Sequence, residues 1–151
     1  MFDIIRAKGV SPAPFLFSNF FILDEVKGKI ISVADLEEAA KSKSKKALVI
    51  PQDYRSDIGL MKGFAGGKAA YLVDLGRIIE SSGFRRSMEM AKIRNFLRIC
   101  VKYEVPFAIA SFAGSEFSIR NAQELCNICA LVGLNAGQAR FASERLGEYL
   151  A

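Results

Sequence analysis

Histidine is absent from this 151-residue chain. That excludes Ser-His-Asp triads, Cys-His nucleophile pairs and imidazole acid-base chemistry in their usual forms. Cysteine is scarce, with three copies. An odd count argues against a disulfide framework and points to a cytoplasmic protein. No apolar run approaches the ~20 residues that a helix needs to cross a bilayer, so no membrane partner is expected. The richest stretch, Ala13 to Leu23, is interrupted by Ser18 and Asn19. The first residues lack a basic segment followed by an apolar one, so no signal peptide is expected. Acidic residues are also in deficit, 16 against 21 Lys and Arg, which leaves a net charge of +5.

That excess is unevenly placed. Residues 41–104 hold fourteen basic and six acidic side chains, whereas 1–40 and 105–151 are both slightly acidic. A basic middle segment favours an anionic partner, nucleic acid first, because each Lys or Arg near a phosphate can release condensed counterions. The competing reading is a plain solvated surface.

The length and apolar content suit one packed α/β domain over residues 1–151. Strands are expected at Phe2–Ile5, Lys29–Val33, Ala47–Ile50 (closed by Pro51), Ala69–Leu75 and Phe107–Ala110. Helices are expected at Ala34–Ser42, Asp57–Phe64, Arg85–Tyr103, Asn121–Val132 and Gly137–Leu150. The aromatic stretch around Pro12 and Pro14 takes no assignment. Apolar strands alternating with helices predict parallel βαβ units. A closed eight-unit barrel takes about 200 residues or more, so an abbreviated or incomplete TIM-like parallel β/α barrel is implied.

Asp3, Asp53 and Asp74 fall at or beside strand ends, where barrel enzymes place ligands, and could hold magnesium weakly. The alternative is that they cap helices and turns. Cys126 and Cys129 form a Cys-x-x-Cys within a helix. With Cys100 they are one ligand short of a zinc site, so buried inert thiols are expected. Gly63 to Lys68 invites a phosphate-loop reading. It fails at Lys62, where glycine is needed, and at Ala69, where Ser or Thr is needed. Gly66 and Gly67 permit close backbone approach and Lys68 could meet a phosphate; a plain turn is the alternative. Arg94, Arg98 and Lys102 recur at i, i+4 and i+8 and form one ridge, with Ile93, Phe96, Leu97, Cys100 and Val101 as the buried face. Arg85 and Arg86 stand at a helix start, where the dipole repels cations unless an anion lies close. Ser118 is a candidate cap for the helix after Arg120.

The stretch Gly83 to Leu134 gathers several of these features. It holds Arg85-Arg86 at a helix start, Lys102-Tyr103 before a Val105-Pro106 strand and a small-residue turn from Ser111 to Ser115. It continues with Arg120-Asn121-Ala122 at a helix entry and Val132-Gly133-Leu134 at its exit. This order resembles the C-terminal half of the archaeal and eukaryotic ribonuclease P protein subunit whose barrel is related to PHP-type phosphoesterases. Asn121 and Ala122 depart from the family's helix start, which has proline. PHP-type enzymes bind metals through histidines and carboxylates, so a histidine-free relative has lost that chemistry.

The resemblance implies a shortened PHP-like barrel and a non-catalytic, RNA-binding subunit supporting 5′ maturation of precursor tRNA. The RNA of the ribonucleoprotein is then the endoribonuclease, and the chain supplies no catalytic residue, metal or cofactor. The implied partners are ribonuclease P RNA, precursor tRNA and a second, RRM-like protein subunit. Expected phosphate contacts are Arg85, Arg86, Arg94, Arg98, Lys102 and Arg120, with Lys68 and the Lys41–Lys46 cluster, Lys45 and Lys46 included, secondary. Two other classes stay open: a metal-dependent phosphoesterase remnant for a small anionic substrate, and a protein-interaction scaffold using Phe15 to Phe21.

Overall fold

The structure is a computed structural model that describes residues 1–151. The first strand, β1 (Phe2–Ile5), is followed by a 3₁₀ turn at Ala13–Phe15, β2 (Asn19–Ile22), a single turn α1 (Leu23–Val26), and β3 (Ile30–Val33). Then come α2 (Leu36–Lys41), β4 (Leu48–Pro51), α3 (Ile58–Ala65), β5 (Ala70–Asp74), α4 (Gly76–Ile79) and α5 (Gly83–Lys102). The chain closes with β6 (Phe107–Ala110), α6 (Ala122–Leu131) and α7 (Ala136–Leu150).

All strand pairs are parallel. One sheet has the order β3-β4-β5-β6 and the other pairs β1 with β2. The two are joined beyond the end of β6 by a parallel bridge between Ile5 and Ala113. Phe112 N donates to Ile4 O at 2.9 Å and Arg6 N to Ala113 O at 2.8 Å across that seam. The last strand thus meets the first, as in a barrel, and the ring stays unpaired between β2 and β3. Val26, in the short connection across this opening, is buried among the inner side chains. The incomplete parallel barrel expected from the sequence is the fold observed.

Alternation along each strand builds two apolar layers. Ala70, Leu72, Ala108 and Ala110 point inward with Ile4 and Leu48, and the alanines leave room for the sheet to curl. Tyr71, Val73, Phe107 and Ile109 point outward into a larger cluster with α3, α5 and α6. Tyr71 stacks on Phe64 with ring centroids 4.0 Å apart and meets Phe96 edge-on.

Helix α7 is attached to the amino-terminal end of the barrel. Ser143 Oγ accepts from Phe2 N at 2.8 Å, Arg145 donates to Phe107 O at 3.1 Å, and Tyr149 donates to Lys68 O at 3.0 Å. Lys29 Nζ donates to Leu150 O at 2.9 Å. Phe2 and Phe107 begin strands, Lys29 directly precedes one, and Lys68 stands two residues before one. Leu146 and Leu150 enter the inner cluster, so α7 seals this end.

The structure corrects several local expectations. The unassigned aromatic stretch contains β2, and Pro51 ends β4 rather than following it. Phe17 and Phe20 are buried, with ring centroids 5.3 Å apart, so the Phe-rich segment serves the core instead of an external scaffold. Ser118 does not cap α6. It bonds Ser115 in a local 3₁₀ turn, and Asn121 caps α6 by accepting from Glu124 N at 2.9 Å while Glu124 returns the bond to Asn121 N. This reciprocal cap fixes the helix entry without the family's proline. Val101 is exposed and Ile99 is buried in its stead.

Candidate nucleic-acid interface

Parallel topology gives the barrel two chemically different ends. Helices start near the carboxyl ends of the strands and finish near the amino ends. Helix dipoles favour acids at the start and bases at the finish. Asp35 and Asp57 cap α2 and α3 accordingly, and Lys41, Lys62 and Lys102 occupy last turns. The polarity goes further than the dipoles require. Lys29, Lys43, Lys45, Lys46 and Lys68 lie in the loops leading into β3, β4 and β5, and Arg145 projects from α7 at the same end. The acids there are few: Glu104, Glu144 and Glu148.

Ion pairing divides the two ends. The three ion pairs are Lys8–Asp24 at 2.9 Å, Arg77–Asp74 at 3.9 Å and Lys92–Asp53 at 3.1 Å, and all lie towards the carboxyl ends of the strands. No Lys or Arg of the amino-terminal end has a carboxylate within ion-pair distance.

Two loops hold the lysines in place. Lys43 O accepts from Lys68 N at 2.6 Å and from Ala69 N at 3.1 Å. A Cβ at Gly67 would stand 2.2 Å from Lys43 O, so only glycine permits this approach. Exposed Lys45, Lys46 and Lys68 are thereby brought to one end of the molecule. Lys46, Gly67, Lys68, Pro106, Arg145, Glu148 and Tyr149 line an open hollow of about 430 Å³ there. Nearby, Lys62 and Lys102 both approach the Tyr103 ring, with Nζ at 5.1 and 5.3 Å from its centroid.

The other expected contacts are dispersed. Arg94 and Arg98 lie farther along α5. Arg94 donates to Leu131 O, and Arg98 donates to Asn95 Oδ1 at 2.7 Å. The Arg94 bond completes a helix terminus. Leu134 N reaches Cys129 O and Gly133 N reaches Ala130 O around Gly133 at φ +89°, which leaves Leu131 O for the guanidinium. Arg86 donates to Ile78 O at 3.1 Å and so ties the end of α4, which answers the apparent dipole conflict. Arg85 borders a polar hollow with Asp74, Arg77, Glu80 and Glu89. Arg120, at the carboxyl end, pairs with neither Glu116 nor Glu124. Lys29, Lys62 and Arg145 escaped the sequence reading, whereas Lys43 belongs to the Lys41–Lys46 cluster expected from it. For Lys29 a signal was available, because a cation just before a strand in a parallel unit belongs to the amino-terminal end; Lys62 and Arg145 lie within helices and offered no such signal.

The three candidate aspartates have separate roles, and no three acidic or thiol groups converge on one point. Asp53 pairs with Lys92. Asp74 accepts from Gly76 N at 2.8 Å, and burial raises its pKa despite nearby Arg77. Asp3 is fully buried at the β1–β6 seam, where it accepts from Ser111 N at 2.7 Å, Ser111 Oγ at 2.5 Å and Ile4 N at 2.9 Å. Burial pushes its pKa up to about 6, against the opposing pull of the Ser111 bonds. Cys100, Cys126 and Cys129 are all buried and free, and burial pushes the Cys129 thiol up to about 12.

No protein-family model matches the chain. Ribonuclease P protein component 3 of Methanococcoides burtonii is 31% identical over 80 residues, 53% of this chain. Over those residues the chain is similar to that component 3. The match spans 33% of the length of that component 3. A chain in the cryo-EM structure of archaeal ribonuclease P with mature tRNA shares the fold. It superposes with a TM-score of 0.69 at 13% identity, covering 98% of this chain and 80% of that chain. No helix of the chain is long and apolar enough to cross a membrane.

Proposed function

We propose that this chain is a non-catalytic protein subunit of ribonuclease P that supports 5′ maturation of precursor tRNA in the cytoplasm. It grips folded RNA backbone with the amino-terminal end of its barrel. The observation that carries the reading is the set of amino-end cations without carboxylate partners, on a chain related to component 3. Lys45, Lys46, Lys68 and Lys102 are the principal phosphate contacts, with Lys29, Lys43, Lys62 and Arg145 beside them. Arg120 and Arg85 reach a second RNA segment at the opposite end. Lysines on loops suit a charged backbone better than base edges, because flexible ammonium groups act as point charges. Ribonuclease P RNA and precursor tRNA are the RNA partners, and a second, RRM-like subunit completes the protein part.

A hydrolase of small anionic substrates gains nothing from the structure, since Asp3, Asp53 and Asp74 do not share a site. The test is binding of purified chain to ribonuclease P RNA over a salt series, with cleavage of precursor tRNA measured for chain alone and for chain with RNA. Affinity should fall steeply with salt and cleavage should require the RNA. Cleavage at the mature 5′ end by RNA-free chain, or an affinity insensitive to salt, overturns the reading.

A further inference from the structure

Eight large apolar side chains are exposed; Val101 on α5 and Phe141 on α7 (40% and 56% exposed) line hollows between helices, and Leu131 (53% exposed) ends α6 beside Arg94. Two adjoining hollows lie there, and Val101 lines both. The first, about 410 Å³, runs between α5 and the α6 terminus over Leu97, Val132 and Leu134. The second, about 270 Å³, continues past Phe107 to Phe141 on α7. Together they form a groove with an apolar floor.

The rim is basic. Arg94, Arg98 and Lys102 line the first hollow and Arg145 the second, where Glu104 is the one acid. None of the four cations has a carboxylate partner. They bond neutral groups instead: Leu131 O, Asn95 Oδ1 and Phe107 O, while Lys102 and Arg145 lie over the Tyr103 and Phe141 rings. The guanidinium of Arg94 is oriented by the helix terminus that it closes. This differs from the lysine loops, which offer charge without an apolar floor. A phosphate backbone would meet the rim and leave the floor wet. A helix with an apolar stripe flanked by carboxylates would satisfy both.

We propose that the groove between α5, α6 and α7 is a docking site for an acidic amphipathic helix of a partner protein. Arg98 and Lys102 select the partner's carboxylates, and Val101 and Phe141 receive its apolar stripe. Lys102 and Arg145 border both this groove and the RNA-binding end, so the two sites are told apart at the apolar floor, where Val101 carries no charge.

The chain carrying benzoylphenylalanine at position 101 or 141 tests this. It is irradiated in the particle recovered with it from its native source, and adducts are mapped with and without ribonuclease digestion. The expected product is a ribonuclease-resistant adduct to one segment of another protein, with Asp or Glu flanking apolar residues at helical spacing. A synthetic peptide of that segment should bind the purified chain. Charge reversal at Arg98 and Lys102 (R98E and K102E) should weaken it at least about tenfold, as for central interface residues. Reciprocal Lys substitutions in the peptide should restore binding. RNA affinity should be unchanged in V101D made by itself, with Arg98 and Lys102 kept, which tests the floor alone. Adducts digested by ribonuclease, adducts between two copies of this chain, a crosslinked segment without acids, or no adduct at either position overturn the proposal. Loss of RNA affinity in V101D also overturns it, because the groove would then belong to the RNA.

Discussion

Replacing Lys45, Lys46 and Lys68 together with glutamine probes the proposed RNA-binding end most directly. All three side chains are exposed, and none has an ion-pair partner. Glutamine keeps their length and removes the charge, so folding stability should stay within about 0.5 kcal/mol of the parent. RNA affinity should respond strongly. Each phosphate contact contributes about 0.7 to 0.9 to the slope of log affinity against log salt. Referred to 1 M salt, three contacts are then worth about 100- to 500-fold at 0.1 M salt, or roughly 3 to 4 kcal/mol. The slope itself should fall by about two to three. Filter binding or fluorescence anisotropy with ribonuclease P RNA, at four or more salt concentrations, reads both quantities. The comparison variant changes Arg94, Arg98 and Lys102 to glutamine, where only Lys102 stands at the amino-terminal end. Its slope should fall by about one at most. If the loop variant kept both affinity and slope, or if the helix variant lost more than the loop variant, the assignment of the amino-terminal end to RNA would be wrong.

Asp3 should make stability depend on pH in a known direction. Its pKa is about 6 in the folded state against an ordinary 3.8, so the folded state holds a proton that the unfolded chain releases. Stability from this group is full below about 4 and is lost as pH rises to about 6, by up to about 3 kcal/mol. Asp3→Asn lacks this loss, so denaturant midpoints of parent and variant should diverge from pH 4 to 6; a constant gap refutes it. Gly67→Ala should cost about 1 to 3 kcal/mol, because its Cβ has no room beside Lys43 O; thermal melting checks this, and an unchanged midpoint would show that the two loops are not clamped. Cys100, Cys126 and Cys129 should react with a thiol reagent only after denaturant is added, since burial raises the pKa of Cys100 and Cys129; rapid labelling of the native chain would contradict this.

Elements with strong local signals were legible in the sequence. Phe107–Ala110 is four apolar residues after Pro106, and α5 is long and uninterrupted. Asp35 and Asp57 announce their helices as caps. β2 was hidden because Phe20 and Phe21 sit in a dense aromatic run without clear alternation, and its pairing with β1 is a tertiary matter. The site was legible only in part. Sequence spacing groups Arg94, Arg98 and Lys102, but it cannot show that Arg94 closes a neighbouring helix. Nor can it show that Lys46, Lys68 and Arg145 share a hollow, because residues from three separate loops and helices are joined there by the barrel alone.

The seam between β1 and β6, together with α7 beneath it, bears on the order in which the chain matures. Asp3 and Ser111 are separated by 108 positions, and Phe2 meets Ser143 across 141. During synthesis β1 and β2 emerge early, yet β1 has no second neighbour and the inner layer no floor until β6 and α7 have appeared. Ile4, Phe20 and the edge of β1 therefore wait in an unfinished intermediate, with sticky surface and unsatisfied backbone exposed. Contacts of such long range also slow the final step. The helix that finishes the barrel thus sets how long β1 and β2 stay incompletely covered.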